Sequence, residues 1–272
     1  MTTVVLGGTG KTGRRLVRTL REAGHPVRAV SRSTEVRFDW SDQDTWADAL
    51  AGATAVYVIA PADPALVPLF VEQAAPVRRF VVLSARGAEN VAAESFRAMT
   101  AMEEAVRESG AEWTILRPNN FSQNFDEDLW HAPLLAGTLT LPIGDVPEPF
   151  VDARDIADVA AAALTTDGHH GQVYDLSGRR GMTFAEAVAT IAAATGRPLR
   201  YEEVTPSAYR AELLAGGVPE EFADELDAIF AAMRAGHISA PGDGVRRALG
   251  RDPIDFTDYV TSTAATGVWS TD

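Results

Sequence analysis

The stretch TVVLGGTGKTGRRLVRTLREAG, residues 3–24, decides the fold. Its first four residues are apolar or β-branched and predict a buried strand. After the glycines the apolar residues recur with the period of an amphipathic helix, which Gly24 ends. Gly7, Gly10 and Gly13 lie in the turn between the two, spaced G-x-x-G-x-x-G. A strand, a glycine-rich turn and a helix in this order open a parallel α/β sheet.

The chain from this unit to residue 118 continues the same alternation. Strands are predicted at residues 25–31, 35–39, 54–61, 79–85 and 112–118, and helices at residues 41–52, 65–74 and about 92–109. Strands that alternate with helices of this length form βαβ units. Because the strands are nearly continuous in Val, Ile and Leu, both faces of the sheet should be covered. The predicted fold class is a Rossmann-like, doubly wound α/β parallel sheet.

The rhythm changes after residue 118. Residues 119–150 are rich in Asn, Phe, Trp and Pro without a clear period, and are interpreted as an insertion that forms a pocket. A helix at residues 152–165 and a strand at 172–178 are expected to return to the sheet edge. A helix at 183–196 carries a capping box of Thr183 and Glu186. The last 75 residues predict a short strand and three or four helices, a small and mostly helical C-terminal lobe.

Composition narrows the possible functions. The 272 residues carry a net charge of −14, which repels nucleic-acid phosphates. Cysteine is absent, so thiolate chemistry and disulfides are excluded. The five histidines have no zinc spacing, and no metal is expected. The N-terminus lacks signal-peptide features and no run has the length of a membrane span, so the cytoplasm is the expected location. Lysine occurs once, as Lys11 in the glycine turn.

The glycine turn is expected to bind a phosphate, and its spacing indicates which kind. A nucleotide-triphosphatase loop, G-x-x-x-x-G-K-[ST], needs a glycine where this chain has Val5 or Leu6, so that interpretation is excluded. The spacing of Gly7, Gly10 and Gly13 fits a dinucleotide pyrophosphate held at a helix N-terminus.

The end of the second strand favours NADP(H) over NAD(H). NAD binding needs an acidic residue about 20 residues past the loop, where this chain has Ser31-Arg32-Ser33. Arg32 and Lys11 could together neutralise a 2′-phosphate, with a serine hydroxyl donating hydrogen bonds.

Five segments of the chain resemble the NmrA-like branch of the atypical short-chain dehydrogenase/reductases. They are GGTGKTGRR, VYVIAP, FVVLSARGA, WTILRPNNFSQN and FVDARDIADVAAAAL, and the likeness extends over essentially the whole chain. This branch is similar to bacterial NADPH quinone reductases and to fungal ergot-alkaloid reductases. The resemblance implies an NADP(H) site within residues 1–150 and a C-terminal part, residues 151–272, that contributes the substrate-binding lobe.

The resemblance also assigns residues to the cofactor. Asp39 and Trp40 would lie at the adenine edge, Ala60-Pro61 at a ribose, Ser84 at the end of the next strand and Pro118-Asn119 beside the nicotinamide. With the residues of the turn, the predicted cofactor site is Gly7, Thr9, Gly10, Lys11, Thr12, Gly13, Ser31, Arg32, Asp39, Trp40, Ala60, Pro61, Ser84, Pro118 and Asn119.

The chain departs from most short-chain dehydrogenases in its catalytic residues. These enzymes use a Tyr-x-x-x-Lys pair as proton donor, and this chain has Ser95 and Met99 at the expected positions. Ser84 and His131 are the weak catalytic candidates. The predicted substrate pocket consists of Tyr57, Asn120, Phe121, Phe125 and Trp130.

Three classes of function remain open at this point. The first is an NADPH-dependent oxidoreductase that transfers hydride to a small acceptor needing little acid assistance, such as a quinone, an iminium ion, or an activated alkene or carbonyl. The second is a non-catalytic NADP(H) sensor that acts through a protein partner. A redox-silent isomerase or cyclase is a third possibility. A monomer or homodimer is expected.

Overall fold

The computed structural model describes residues 2–270. In this range eight strands and eleven α-helices follow one another. The strands are β1 (Thr2–Leu6), β2 (Val27–Val30), β3 (Ala53–Ile59), β4 (Arg79–Leu83), β5 (Glu112–Pro118), β6 (Thr138–Leu141), β7 (Gln172–Leu176) and β8 (Arg200–Glu203). The helices are α1 (Lys11–Glu22), α2 (Asp44–Leu50), α3 (Leu66–Gln73), α4 (Glu94–Glu108), α5 (His131–Ala136), α6 (Ala153–Thr165), α7 (Phe184–Thr195), α8 (Pro206–Ala215), α9 (Glu220–Arg234), α10 (Gly244–Leu249) and α11 (Phe256–Ala264). Short 3₁₀ turns lie at Ala88–Asn90 and Ser122–Phe125.

Six strands form one parallel sheet in the order β2-β1-β3-β4-β5-β7. The chain reverses direction across the sheet between β1 and β3, and ligands of doubly wound sheets bind outside the carboxyl ends of the strands at such a point. The predicted α/β fold class is confirmed. The strand predicted at residues 35–39 does not form, since only single bridges, Ser31 with Arg37 and Asp39 with Asp42, occur there.

The two faces of the sheet are covered by separate apolar clusters. One lies between the sheet and helices α1 and α6 and includes Leu16, Tyr57 and Ile156. The other lies beneath α2, α3 and α4 and includes Trp46 and Phe70. Near-continuous apolar strands are therefore buried on both sides, as the composition of the strands predicts.

A third apolar core joins the insertion to the C-terminal lobe. Phe125, Trp130 and Phe150 pack there with Phe184 and Phe256, and ring centroids lie 4.8–6.0 Å apart. Strands β6 and β8 form a separate parallel pair within this region. The first sheet in turn includes β7, which lies after residue 150. A domain boundary at residue 150 stays a prediction. Strand β7 from the later part belongs to the first sheet, and residues 125–150 of the earlier part pack in the third core with the C-terminal lobe.

Three further predictions concern the helices. The capping box at the start of α7 is confirmed: Glu186 N donates to Thr183 Oγ1 at 3.1 Å and Thr183 N donates to Glu186 Oε2 at 2.8 Å. Residues 198–270 contain the predicted short strand and four helices. Among residues 2–270, no helix combines the length and apolar character needed to cross a membrane.

Candidate functional site

The glycine turn after β1 forms a tight loop against the start of α1. Gly7 adopts a φ of +65°, which favours glycine, and Gly10 N donates to Gly7 O at 2.9 Å. A Cβ on Gly13 would lie 2.1 Å from Gly7 O, so only glycine fits at the first turn of the helix. The backbone of the loop and the helix therefore approach each other as a dinucleotide-binding turn requires.

The first amides of α1 have no capping side chain, because the residue at the N-cap position is a glycine. This residue is Gly10, and no side chain between residues 2 and 270 caps the helix. Thr9 and Gly10 are exposed beside it. A helix of this length presents unsatisfied amides and a partial positive charge at its start, which suits a pyrophosphate. The residues at this turn fit the phosphates of a dinucleotide.

Tyr57 supports this turn from inside the core and does not line a pocket. It lies on the face of β3 that packs under α1, is fully buried, and its hydroxyl donates to Thr12 Oγ1 at 3.0 Å. Burial raises the pKa of Tyr57. The sequence predicts Tyr57 as a substrate-pocket residue, but the inward orientation of this strand position takes it away from the pocket.

Lys11 extends toward the insertion. Its Nζ donates to Asn124 Oδ1 at 2.6 Å and pairs with Asp128 at 2.5 Å, and it lies 5.5 Å from the centre of the Phe121 ring. The sequence predicts that Lys11 shares a 2′-phosphate with Arg32. In the structure Lys11 is paired with residues 124–128, because a carboxylate and an amide oxygen stand beside the first turn of α1. Its share in a 2′-phosphate stays a prediction.

Arg32 lies at the carboxyl end of β2 with its side chain exposed. It forms no ion pair with any residue between 2 and 270, while Ser31 Oγ is 3.2 Å from Ser33 Oγ. A free guanidinium beside two hydroxyls can bind a phosphate bidentately. Its role toward a 2′-phosphate stays a prediction.

Asp39 and Trp40 already have partners within the chain. The Asp39 carboxylate accepts hydrogen bonds from Ser41 N and Oγ and from Arg37, which hold the pKa of Asp39 below its ordinary value. Trp40 packs edge-on against Phe38 and Phe70 at 5.0 and 4.8 Å. Their predicted place at the adenine edge is untested by these contacts.

A cavity of about 450 Å³ opens at the carboxyl ends of the strands, next to the glycine turn. Its walls come from the strand ends, the loop after β4 with helix α4, the insertion, and the C-terminal lobe. Most of the lining is apolar. The lining residues before the C-terminal lobe are Lys11, Ile59, Leu83, Ser84, Ala85, Arg86, Gly87, Asn90, Val91, Phe96, Met99, Pro118, Asn119, Asn120, Phe121, Asn124, Asp128 and Leu129, and those from the C-terminal lobe are Ile229, Ala232, Met233, His237 and Ile238.

Among the predicted site residues, Ser84, Pro118, Asn119, Asn120 and Phe121 meet in this cavity. Ala60 and the buried Pro61 follow Ile59, which also lines it. These predicted positions come together because they stand at the carboxyl ends of neighbouring parallel strands or directly after one.

Ser84 carries a polar atom that the protein leaves without a partner. The residue is 4% exposed and lines the cavity, and within residues 2–270 its Oγ makes no hydrogen bond of ordinary geometry, although the Glu103 carboxyl is near enough for Ser84 to lower its pKa. Buried hydroxyls are nearly always hydrogen-bonded. An unsatisfied hydroxyl in a cavity wall is therefore a group available to a ligand.

Asn119 belongs to a buried network that sequence reasoning missed. Its Nδ2 donates to Glu148 Oε1 at 2.8 Å, and its Oδ1 accepts from Arg86 at 3.1 Å. Arg86 also donates to Ala240 O at 2.5 Å, and Asn119 Nδ2 to Ile238 O at 3.1 Å. Burial raises the pKa of Glu148. The network holds the C-terminal wall of the cavity against the sheet.

His131, Phe125 and Trp130 lie outside the cavity. His131 is the first residue of α5, and its Nε2 lies 3.0 Å from Val268 O. Phe125 and Trp130 are buried in the third core, 0% and 3% exposed. The predicted catalytic role of His131 and pocket roles of the two aromatic residues are thus replaced by packing against the C-terminal lobe.

Ser95 and Met99 occupy the positions expected for a Tyr-x-x-x-Lys pair. Met99 lines the cavity, and the Ser95 hydroxyl donates to Glu225 on α9. Within residues 2–270 no group of three or more His, Asp or Glu side chains is placed to hold a metal ion. The polar groups that line the cavity are a hydroxyl, several amides, an imidazole, the Lys11 ammonium, the Arg86 guanidinium and the Asp128 carboxylate.

Comparison with known proteins agrees with this arrangement. Residues 7–167 match a family model described as NAD(P)H-binding. The chain is 30% identical to an NAD(P)H azoreductase of Xenophilus azovorans, covering 96% of this chain and 98% of the relative. It is 35% identical to the (4-alkanoyl-5-oxo-2,5-dihydrofuran-3-yl)methyl phosphate reductase of Streptomyces griseus subsp. griseus, covering 94% and 95%.

A solved structure shows the same fold. The Citrobacter sp. triphenylmethane reductase complexed with NADP(H) superposes with a TM-score of 0.82 at 21% identity, covering 97% of this chain and 100% of that one.

Proposed function

This chain belongs to the family described as NAD(P)H-binding, and on that premise we propose that it is an NADPH-dependent reductase of small, conjugated organic acceptors, within the NmrA-like branch that its motifs resemble. The observation that carries the proposal is the apolar cavity, which has the glycine turn at its edge and the unsatisfied Ser84 hydroxyl in its wall. Residues 1–150 supply the cofactor side of this cavity, and residues 151–272 cover it.

The residues assigned to the cofactor follow from the turn and the strand ends. Gly7, Gly10 and Gly13 with the open start of α1 would hold the pyrophosphate, and Arg32 the 2′-phosphate. Asn119 and Pro118 would border the nicotinamide. When bound, NADPH supplies a hydride to an acceptor in the cavity.

The remaining chemistry falls to the chain's own residues. The mostly apolar walls, including Phe121, Met99 and Met233, bind and orient a flat acceptor and exclude water. Ser84 Oγ can donate to an oxygen of that acceptor. The exposed His237 and Asp128 at the rim connect the cavity to solvent, from which a proton reaches the product.

The class of acceptor follows from the absence of a tyrosine–lysine pair. An unactivated ketone needs a proton from a positioned acid, whereas a quinone, an iminium ion or an activated alkene accepts hydride readily. Both curated relatives fit this class, since one reduces an azo compound and the other a dihydrofuranone by name. The acidic chain is not expected to act on nucleic acid, and we place it in the cytoplasm.

The test is oxidation of NADPH, followed by its absorbance, with a panel of quinones, iminium ions, enones and simple ketones. We expect turnover with the first three classes and none with simple ketones. Tight NADPH binding without oxidation by any acceptor would contradict the reductase and favour the sensor.

Arg32 is expected to set the preference for NADPH. In Arg32→Ala the dissociation constant for NADPH should rise about 10- to 100-fold, about 1.4–2.8 kcal/mol, and that for NADH should not change, because only NADPH carries the 2′-phosphate. The measurement is fluorescence titration with both nucleotides. The control is Arg78→Ala. Arg78 is exposed and directly precedes β4, at the amino ends of the strands and therefore opposite the cavity. An equal loss for both nucleotides would contradict the assignment.

A further inference from the structure

The segment 124–128, Asn-Phe-Asp-Glu-Asp, is bound to the first two turns of α1 through charged groups. Lys11 Nζ contacts Asn124 Oδ1 at 2.6 Å and Asp128 Oδ2 at 2.5 Å. Arg14 and Arg15 both pair with Glu127. Burial alone would raise the pKa of Glu127, but the two arginines lower it below its ordinary value. The segment is therefore held by the same turns of α1 that face the phosphate site.

The same segment also forms part of the cavity. Asn124, Asp128 and the adjoining Leu129 line it, and Lys11 lies over the ring of Phe121 in the same wall. Leu129 is 47% exposed, so this wall stands at the mouth of the cavity. A movement of the segment changes the shape of the cavity where a substrate enters.

Charge links the two sites. A pyrophosphate brings negative charge to the start of α1, close to the carboxylates of Glu127 and Asp128. Without cations between them these like charges repel. Lys11 is the first residue of α1, the helix end at which the phosphate is expected, and its ammonium already contacts Asp128.

From these contacts we propose that Lys11 is a positioning residue shared by the two sites. Its ammonium joins the cofactor phosphate to Asp128 and Asn124, so that the bound cofactor holds segment 124–128 and Leu129 in place as a wall of the substrate cavity. Substrate then binds more tightly to the cofactor-loaded protein than to the empty one. The inference rests on the proposed function, since it requires the dinucleotide at α1.

Coupling of this kind is reciprocal: the factor by which the cofactor tightens substrate binding equals the factor by which substrate tightens cofactor binding. A residue with only a structural role lowers stability or both affinities without removing the coupling. The coupling factor therefore distinguishes the two roles of Lys11.

The experiment uses the whole chain with NADP⁺ and an oxidised naphthoquinone, a pair that cannot react. Calorimetry gives the dissociation constant of each ligand with and without saturating amounts of the other. We expect about 10-fold coupling in the wild type and less than about 2-fold in Lys11→Gln and in Asp128→Asn. Arg18→Gln removes an exposed cation further along α1 and should keep the full coupling.

A second readout needs no quinone. Hydrogen exchange of the amides in residues 122–130 should slow when NADP⁺ binds the wild type, and should not respond in Lys11→Gln. The inference is overturned if Lys11→Gln keeps the coupling factor of the wild type, or if NADP⁺ slows hydrogen exchange in residues 122–130 of Lys11→Gln as much as it does in the wild type. Either result leaves the reductase proposal intact. Failure of the wild type to bind NADP⁺ overturns the proposed function itself.

Discussion

In Gly13→Ala, affinity for NADPH is expected to fall at least about 100-fold, close to 3 kcal/mol. The added methyl would lie 2.1 Å from Gly7 O and 3.0 Å from the Gly8 Cα, and both are backbone atoms that cannot rotate aside. The turn must open, and the amides at the start of α1 then lose their common direction toward the phosphates. The free energy of unfolding should drop by about 1–3 kcal/mol from the same overpacking.

Fluorescence titration with NADPH and urea unfolding test this expectation. Gly216→Ala is the matched control, because its Cβ would meet the nearest atoms at an ordinary 3.4 Å and its φ is −77°. We expect that variant to bind NADPH as the wild type does. Wild-type NADPH affinity in Gly13→Ala would show that the pyrophosphate does not lie at this turn.

Glu103→Gln is expected to lower the free energy of unfolding by about 3 kcal/mol, because breaking a buried ion pair leaves a guanidinium without its counterion. Glu103 on α4 is 1% exposed and accepts from Arg117 Nε at 2.9 Å, Arg117 Nη2 at 2.5 Å and Arg107 at 3.0 Å. Burial alone would raise the pKa of Glu103, but hydrogen bonding from Arg117 and Ser84 and the charges of Arg117 and Arg107 hold it below its ordinary value.

The pH dependence follows from that direction. A carboxyl whose pKa is lower in the folded state adds stability above its unfolded pKa, and this stability is lost as pH falls through the folded pKa. Wild-type stability should therefore decline below about pH 4.5, and Glu103→Gln should decline less steeply there. Urea unfolding between pH 3 and pH 7 measures both. Glu112→Gln, which removes a 49% exposed partner of Arg79, should change stability by less than about 1 kcal/mol.

The part of the fold that sequence predicts is the part that local pattern specifies. Apolar strands, helices with their caps, and a turn with three glycines all depend on residues close together in the chain, so the parallel sheet follows from the order of elements. The strand predicted at residues 35–39 failed because Thr34 Oγ1 and Thr45 Oγ1 bond the backbone there in place of a neighbouring strand.

The cavity depends on contacts that are distant in sequence. Asn119 meets Glu148, and Arg86 meets Ala240, 154 residues away. No local signal marks Met233 or Ile238 as wall residues, or Glu148 as the buried partner of Asn119. Residue type also fails to tell a pocket aromatic from a core aromatic, which is why Phe121 was placed correctly at the cavity and Phe125 was not.

The parallel pair of β6 and β8 has a consequence for synthesis on the ribosome. All six strands of the larger sheet have been synthesised once residue 176 is made, so this part of the chain can begin to fold before the C-terminal lobe has been translated. The aromatic residues of 125–150 must then wait for β8 and α11 before their core closes. During that interval the nascent chain exposes an aggregation-prone aromatic surface. A chaperone that binds exposed apolar segments is most needed at this stage.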